Sequence, residues 1–226
     1  MNVEGKDIFF KIMEKRNFDK DAAAWDEPPR RIKMAEDIVN AIRQAIPLNA
    51  KMSALDFGCG TGLVSLRLLP FVGSVTGVDS SRGMIDVFKS KIENQNLKNA
   101  RAIRLDIDDG DVLEGCFDLI MSSMTIHHIQ DIASLFAQFY GATAPEGYIA
   151  IADLDSDDGL FHRNKIGVFH NGFNRAELRR MMENAGFANI RDFTAVKTNK
   201  IGADGKEGVF RIFLLTGQKC AHLGKQ

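Results

Sequence analysis

Short apolar runs of strand length alternate with segments of helical periodicity along most of this sequence. After Ser80 and Ser81, either of which can cap a helix, the apolar residues Met84, Ile85 and Phe88 fall on one helical face. The predicted strands are residues 53–57, 75–79, 101–106, 117–122 and 148–153. Such alternation is typical of a parallel sheet that is covered by helices. The pattern therefore predicts an α/β, doubly wound fold.

Two further runs, residues 190–197 and 209–216, are rich in β-branched and aromatic residues. Asp204-Gly205 lies in their connection and favours a hairpin. We expect the two runs to pair antiparallel at the edge of the sheet. The result is a seven-stranded, mostly parallel, Rossmann-like sheet with an antiparallel edge strand.

Two helical patterns, residues 8–16 and 34–46, precede the first strand. Between them Pro28-Pro29 favours extended backbone, so a loop or elbow is predicted there. We expect residues 1–48 to form an N-terminal cap of helices and residues 49–226 to form the main domain. A chain of 226 residues has room for one such domain with a small appendage.

The charge balance and the cysteines argue against several classes of protein. Lys plus Arg number 29 against 30 for Asp plus Glu, so no field covers the surface to attract nucleic acid or an anionic membrane. The longest stretch without these residues, 132–145, is too short to span a bilayer. Residues 1–20 lack the apolar region of a secretory signal, and the three cysteines form no C-x-x-C pair. We therefore expect a cytoplasmic protein with reduced thiols.

The sharpest motif is the stretch D-F-G-C-G-T-G at residues 56–62, which follows a predicted strand and opens a helix. Glycines there let the backbone approach a ligand closely. The dinucleotide fingerprint G-x-G-x-x-G requires a glycine at position 63, where this chain has Leu63. The spacing therefore disfavours an NAD-type oxidoreductase, which is the alternative enzyme class.

An acid followed by three alternating glycines in this place resembles motif I of the class I S-adenosylmethionine-dependent methyltransferases, and the likeness continues along most of the chain. It implies S-adenosyl-L-methionine as cofactor and S-adenosyl-L-homocysteine as product. The cofactor-binding residues that the resemblance implies here are Asp56, Gly58, Cys59, Gly60, Thr61, Gly62, Asp79, Ser80, Met84, Asp106, Ile107 and Ser122.

Several of these residues have a specific role in the family. Asp79 resembles the acid that ends the second strand, and a carboxylate accepts hydrogen bonds from both ribose hydroxyls. Met84 and Ile107 are expected beside the adenine, Asp106 on its amino group, and Ser122 at the methionine half. The alternatives are a core position for Met84 and a solvated acidic loop for Asp106.

Residues 18–26, F-D-K-D-A-A-A-W-D, resemble the opening of small-molecule methyltransferases similar to the ubiquinone and menaquinone biosynthesis group. That resemblance implies that the N-terminal segment folds over the cofactor. Trp25 could then cover the sulfonium, whose positive charge is attracted to an aromatic ring. Arg30 or Arg31 could reach the cofactor's carboxylate. The alternatives are a packing role for Trp25 and solvated charges for the arginines.

Methyl transfer from a sulfonium is an in-line displacement, so positioning is the main task and a base helps only some acceptors. His127-His128 follows the fourth strand, on the edge where open α/β sheets bind ligands. His162 and His170 lie in a long polar segment that could close over the acceptor. The candidate catalytic residues are His127, His128 and His170. The alternative is that these histidines only pack or cap.

The acidic residues after the fifth strand do not match a calcium loop, because Asp158 and Asn164 stand where glycine and glutamate are required. We assign no metal ligands, and a Mg²⁺ that polarises a catechol-like acceptor remains the minor alternative.

The leading hypothesis for the function is a methyltransferase for a small-molecule acceptor, as a monomer or homodimer. A non-catalytic cofactor-binding protein and a protein methyltransferase are the alternatives. The sequence S-S-M-T at residues 122–125 does not resemble the N-P-P-Y motif of enzymes that flip a base.

Overall fold

A single seven-stranded sheet organises the computed structural model, which describes residues 16–220. The predicted helix over residues 8–16 lies outside the described residues except for Arg16. The strands are β1 (Ser53–Phe57), β2 (Ser74–Asp79), β3 (Ala100–Arg104), β4 (Phe117–Ser123), β5 (Thr143–Leu154), β6 (Ala188–Ile201) and β7 (Glu207–Gln218).

The strand order is β3-β2-β1-β4-β5-β7-β6. The five strands β1 to β5 are all parallel to one another. β7 is antiparallel to both β5 and β6, so the antiparallel strand lies next to the edge and β6 forms the edge itself. The predicted mostly parallel α/β sheet with an antiparallel edge pair is confirmed. Because the chain reverses its direction of winding between β1 and β4, a crevice opens at the carboxyl ends of these strands.

Helices cover both faces of this sheet. They are α1 (Pro29–Ala45), α2 (Leu63–Leu68), α3 (Arg82–Asn94), α4 (Ile132–Ala142) and α5 (Arg175–Ala185). Each face of the sheet carries a hydrophobic core, and the side chains of β4 alternate between the two. Leu119 and Met121 pack in the same core as Ile38 and Ile42 of α1, whereas Ile120 packs in the core on the side of α4. Within residues 16–220, no helix is long and apolar enough to cross a membrane.

Several predicted boundaries were wrong. α1 begins at Pro29 instead of residue 34, because proline is accommodated in the first turn of a helix and only Pro28 is extended. β3 ends at Arg104 instead of at Asp106, and β5 begins at Thr143, where it pairs with Phe117 across a bulge. β6 and β7 are longer than predicted because each is extended by pairing with the other.

Gly62, which begins α2, offers a test of packing in this fold. It has φ of +81°, and a Cβ there would lie 2.4 Å from Cδ2 of Phe88. Gly205 has φ of +80° with no atom within 4 Å of such a Cβ, so it is a matched control. Alanine at either position adds a left-handed strain of about 1–2 kcal/mol, but only Gly62→Ala also overpacks the core, by about 1–3 kcal/mol.

We therefore expect Gly62→Ala to lower the free energy of unfolding measured in urea more than Gly205→Ala does. Equal losses in the two variants would mean that the contact with Phe88 does not constrain Gly62.

Candidate active site

A cavity of about 710 Å³ lies at the carboxyl ends of β1, β2 and β4. The glycine-rich turn after β1 forms its floor together with the ends of β2 and β3. The segment before α1 and the 3₁₀ turn Ile126–His128 line its sides, and part of the loop after β5 and the end of β6 line its mouth. The cavity therefore joins the elements on which the sequence predicted a site with one that it did not, the end of β6.

The glycines of the turn have different tasks. Gly58 has φ of +71°, and a Cβ there would lie 2.1 Å from the Cγ2 of Thr125. Gly62 likewise makes room for Phe88. A Cβ on Gly60, by contrast, would have only Met84 Sδ and Trp25 Nε1 within 4 Å, both at 3.9 Å, and all three residues line the cavity. Gly60 therefore keeps this face of the turn open to a ligand.

Asp79 fixes the turn from the end of β2. Its Oδ2 accepts a hydrogen bond from the Gly60 amide at 2.9 Å, and its Oδ1 accepts one from the Ser81 amide at 2.8 Å. Burial raises the pKa of Asp79 above its ordinary value. A partly desolvated carboxylate thus faces the cavity with each oxygen held in place by the backbone.

Asp56 is the buried acid at the start of the motif. Its Oδ2 accepts a hydrogen bond of 2.5 Å from the hydroxyl of Ser65. Its Oδ1 is buried and has no hydrogen-bond partner within residues 16–220. Burial, with a contribution from the charge of Asp79, raises the pKa of Asp56 to about 7. Because an orphaned buried oxygen is costly, this position favours a ligand that donates a hydrogen bond or carries a positive charge.

Most residues predicted to bind the cofactor do line the cavity. They are Trp25, Arg30, Asp56, Gly58, Cys59, Gly60, Asp79, Ser80, Met84, Asp106 and Ile107.

Three of the predicted residues do not line it. The Thr61 hydroxyl donates to Asp26 at 2.6 Å, the Ser122 hydroxyl donates to the Phe57 carbonyl at 2.9 Å, and Gly62 packs against Phe88. In this structure their contacts are with the protein around the cavity, and their part in cofactor binding stays a prediction.

The segment before α1 is attached across the loops of the cavity. Asp19 accepts hydrogen bonds from the Ser81 hydroxyl at 2.6 Å and from the Gly83 amide at 2.9 Å. Asp26 accepts a hydrogen bond from the Thr61 hydroxyl and forms an ion pair with Lys91. These contacts hold Trp25 beside the glycine-rich turn.

Arg31 supports Trp25 from the other side. Its guanidinium stacks 3.8 Å from the centre of the indole and donates to the Trp25 carbonyl at 2.8 Å. Trp25 is therefore packed and lines the cavity at the same time.

His127 lines the cavity and is paired with the buried Asp153. His127 Nδ1 is 2.7 Å from Asp153 Oδ1, and both side chains are only 1% exposed. Burial opposes ionisation of Asp153, but the charge and the hydrogen bond of His127 outweigh it and lower the pKa of this carboxyl. An ionised Asp153 accepts the proton on Nδ1, which leaves the lone pair of the neutral imidazole on Nε2. This Nε2 has no hydrogen-bond partner within the described residues.

Two more histidines surround this pair. The ring centre of His127 is 4.2 Å from that of His128 and 4.8 Å from that of His162. Nδ1 of His128 donates to the Gly167 carbonyl at 2.5 Å. Burial, followed by the charge of His127, lowers the pKa of both His128 and His162 to about 3, so both rings are neutral near pH 7.

Among residues 16–220, no group of three or more His, Cys, Asp or Glu side chains is placed to hold a metal ion.

His170, which the sequence predicted to be catalytic, does not line the cavity. Its Nε2 is 2.9 Å from the Ile129 carbonyl, and its ring lies beside Phe173 next to a separate, smaller pocket. Of the two histidines in the polar segment, His162 faces the site instead.

The sequence interpretation also missed Asp153, Arg163 and Lys200 as site residues. Asp153 could have been found, because it follows the same rule of carboxyl-terminal strand ends that identified His127.

Comparison with known proteins gives three findings. A family model described as "Methyltransferase domain" matches residues 6–192. An uncharacterised methyltransferase of Schizosaccharomyces pombe is 33% identical over 163 residues, which are 66% of this chain and 57% of that protein. A ubiquinone biosynthesis O-methyltransferase of Coxiella burnetii is 29% identical over 170 residues, which are 69% of this chain and 71% of that protein.

Solved structures share the fold. A SAM-dependent methyltransferase from Aquifex aeolicus superposes with a TM-score of 0.65 at 18% identity, covering 89% of this chain and 98% of that one. The match to the S. pombe protein spans less than three fifths of that relative's length.

Proposed function

The chain belongs to the methyltransferase domain family, and from that premise we propose that it transfers a methyl group from S-adenosyl-L-methionine to a hydroxyl group of a small-molecule acceptor, with His127 as the proton acceptor. The observation that carries the proposal is Nε2 of His127, a residue that lines the cavity: this nitrogen has no hydrogen-bond partner within residues 16–220, and Asp153 holds the other ring nitrogen. The Coxiella relative, an O-methyltransferase by name, agrees with an oxygen acceptor.

The residues around the glycine-rich turn fit S-adenosyl-L-methionine. Gly60 leaves its face of the turn open, and Asp79 presents two carboxylate oxygens that can accept from the ribose hydroxyls. The orphaned Oδ1 of Asp56 can accept from the ammonium group of the amino-acid end. Arg30, whose side chain is in no ion pair among the described residues, is available for the carboxylate.

When bound, S-adenosyl-L-methionine supplies an electrophilic methyl group on a positively charged sulfur. The chain's residues then have to orient the acceptor and exclude water, and orientation alone can contribute roughly 7–11 kcal/mol to lowering the barrier. Trp25 and the segment before α1 lie across the glycine-rich turn, so they limit the access of water at that end.

His127 has the arrangement of a general base. An acceptor hydroxyl would donate to Nε2, and the proton would stay there as the oxygen is methylated. Asp153 stabilises the resulting imidazolium through the hydrogen bond at Nδ1. The neutral rings of His128 and His162 exclude water from this nitrogen without competing for the proton, because burial holds their pKa at about 3.

Cofactor binding and turnover test the proposal separately. We expect calorimetry to show saturable binding of S-adenosyl-L-homocysteine, and expect Gly60→Val to weaken it strongly because a branched side chain would fill the space beside Met84 and Trp25. Gly205→Val is the control for the change of residue, because Gly205 also has a positive φ, of +80°, and a Cβ there has no atom of the described residues within 4 Å.

Turnover is measured as formation of S-adenosyl-L-homocysteine by mass spectrometry with phenols, alcohols and carboxylic acids as acceptors. We expect a hydroxyl compound to be methylated. Binding of the cofactor product without methylation of any compound in the set would contradict the proposal and favour a non-catalytic cofactor-binding protein.

A further inference from the structure

The charged side chains that line the cavity fall into an acidic set and a basic set according to the elements that carry them, called here its acidic end and its basic end. The acidic side chains that line it, Asp56, Asp79, Asp106 and Asp108, all come from the ends of β1, β2 and β3 or just beyond them. The basic side chains that line it are Arg16, Arg30, Arg31, Arg163 and Lys200. These five come from the segment before β1, the loop after β5 and the end of β6. The acidic end is the end that fits the cofactor's nucleoside.

Internal contacts account for only part of the positive charge. Arg16 is paired with Asp21 at 2.9 Å, and Arg31 is stacked on Trp25. Arg163 has one long hydrogen bond, from its Nε to the Gly202 carbonyl at 3.4 Å. Within residues 16–220, neither Arg163 nor Lys200 has a carboxylate within the 4.0 Å of an ion pair.

Lys200 is the most constrained of these cations. Its ammonium donates to the Phe161 carbonyl and lies 3.9 Å from the centre of the Phe161 ring. Burial lowers the pKa of Lys200 to about 8, and the positive charges of Arg30 and Arg163 act in the same direction.

Asp157 is the acid that opposes this shift, but its two oxygens already accept hydrogen bonds from the backbone amides of Gly159 and Phe161. Asp157 keeps its negative charge, but Arg30, Arg31 and Arg163 all act on Lys200 in the opposite direction, so positive charge is in excess there among the described residues and an anion beside Lys200 would be stabilised.

The cofactor does not account for this surplus. Its single carboxylate can bind one arginine in the bidentate manner, and Arg30 lies on α1, beside the segment that carries Trp25. Arg163 and Lys200 come from elements that follow β5, and Arg163 is next in sequence to His162, whose ring packs on His127. These two cations are thus on the side of the proton acceptor.

We propose that the methyl acceptor carries an anionic group, a carboxylate or a phosphate, which Arg163 and Lys200 bind at the mouth of the cavity while its hydroxyl faces His127. This inference rests on the proposed function and specifies its substrate class. Phe18, Phe161 and Phe169 line the space between the mouth and the histidines, so the body of the acceptor is apolar or aromatic.

Binding of simple probes tests the inference without knowledge of the acceptor. The probes are benzoate, phenyl phosphate and benzamide, titrated by calorimetry into the full chain with and without saturating S-adenosyl-L-homocysteine. We expect at least one anion to bind saturably and about tenfold or more tighter than neutral benzamide, since a hydrogen bond between charged groups replaces a neutral one. The tighter of the two anions identifies the group as carboxylate or phosphate.

Variants locate the binding. Arg163→Met and Lys200→Met are each expected to lower the affinity for the anion about tenfold. Lys200→Arg, which keeps the positive charge, is expected to retain the affinity. Lys197→Met, on the same strand but exposed and outside the cavity, is expected to leave the affinity unchanged.

Equal affinity for benzamide and the anions, no saturable anion binding, or the same loss in Lys197→Met would overturn the inference. In each of these cases binding of S-adenosyl-L-homocysteine, measured in the same preparation, shows whether the proposed function itself still stands.

Discussion

Replacing His127 with asparagine is expected to lower kcat by about 10²- to 10⁴-fold, the usual contribution of a positioned general base, and to leave the affinity for S-adenosyl-L-homocysteine unchanged. The reason is that Nε2 is the unpartnered lone pair in the wall of the cavity, whereas the cofactor end is built from other residues. The measurement is steady-state kinetics on an acceptor that the wild-type chain methylates, with calorimetry for the cofactor product. His170→Asn is the matched control, because His170 lies outside the cavity.

The acidity of the acceptor separates a chemical role from a structural one. If His127 takes the proton, a phenol of low pKa needs little help, so the loss in His127→Asn should shrink as the acceptor's hydroxyl becomes more acidic. A loss of the same size for acidic and weakly acidic phenols would mean that the substitution disturbs positioning and not proton transfer.

Asp153 is a positioning residue in the same scheme. In Asp153→Asn the amide carries no charge to stabilise an imidazolium, and its NH₂ group can donate to Nδ1 and favour the opposite tautomer. We expect this variant to show the same dependence on acceptor acidity as His127→Asn. If it leaves kcat unchanged, the His127–Asp153 hydrogen bond is only structural.

Sequence alone predicted the sheet and the acidic end of the cavity for one physical reason. The carboxyl ends of parallel strands meet at one edge, so residues that directly follow strands are neighbours whatever the loops do. His127 was found by this rule, whereas Asp56, Asp79 and Asp106 were implied by the family resemblance and obey the same rule; all four line the cavity. Since the rule uses only local strand ends, it holds even where the predicted boundaries were wrong by two residues.

The basic end could not be predicted because it depends on contacts distant in sequence. Lys200 lies beyond the predicted end of β6, which is extended by its pairing with β7. Nothing in the polar segment after β5 distinguishes His162 from His170, since it has no helical or strand period to set which side chains point inward. The roles of Thr61 and Gly62 likewise depend on Asp26 and Phe88, which lie elsewhere in the chain.

Asp79→Ala is expected to weaken the binding of S-adenosyl-L-homocysteine by about 10²- to 10⁴-fold, because two hydrogen bonds from ribose hydroxyls to a carboxylate are lost at about 1.5–3 kcal/mol each. The same carboxylate holds the Gly60 and Ser81 amides, so part of the loss could come from the turn itself. Asp86→Ala, an exposed position on α3, is the control for removal of a carboxylate near the site.

The 2′-deoxy analogue of S-adenosyl-L-homocysteine separates the two contributions to this loss. In the wild-type chain the analogue should bind more weakly than the natural nucleoside, because one hydroxyl that donates to Asp79 is missing. In Asp79→Ala that difference should largely disappear, since the hydroxyl no longer has its partner, while a loosened turn weakens both ligands alike. If the analogue is disfavoured by the same factor in both proteins, Asp79 does not bind the ribose and serves only to fix the glycine-rich turn.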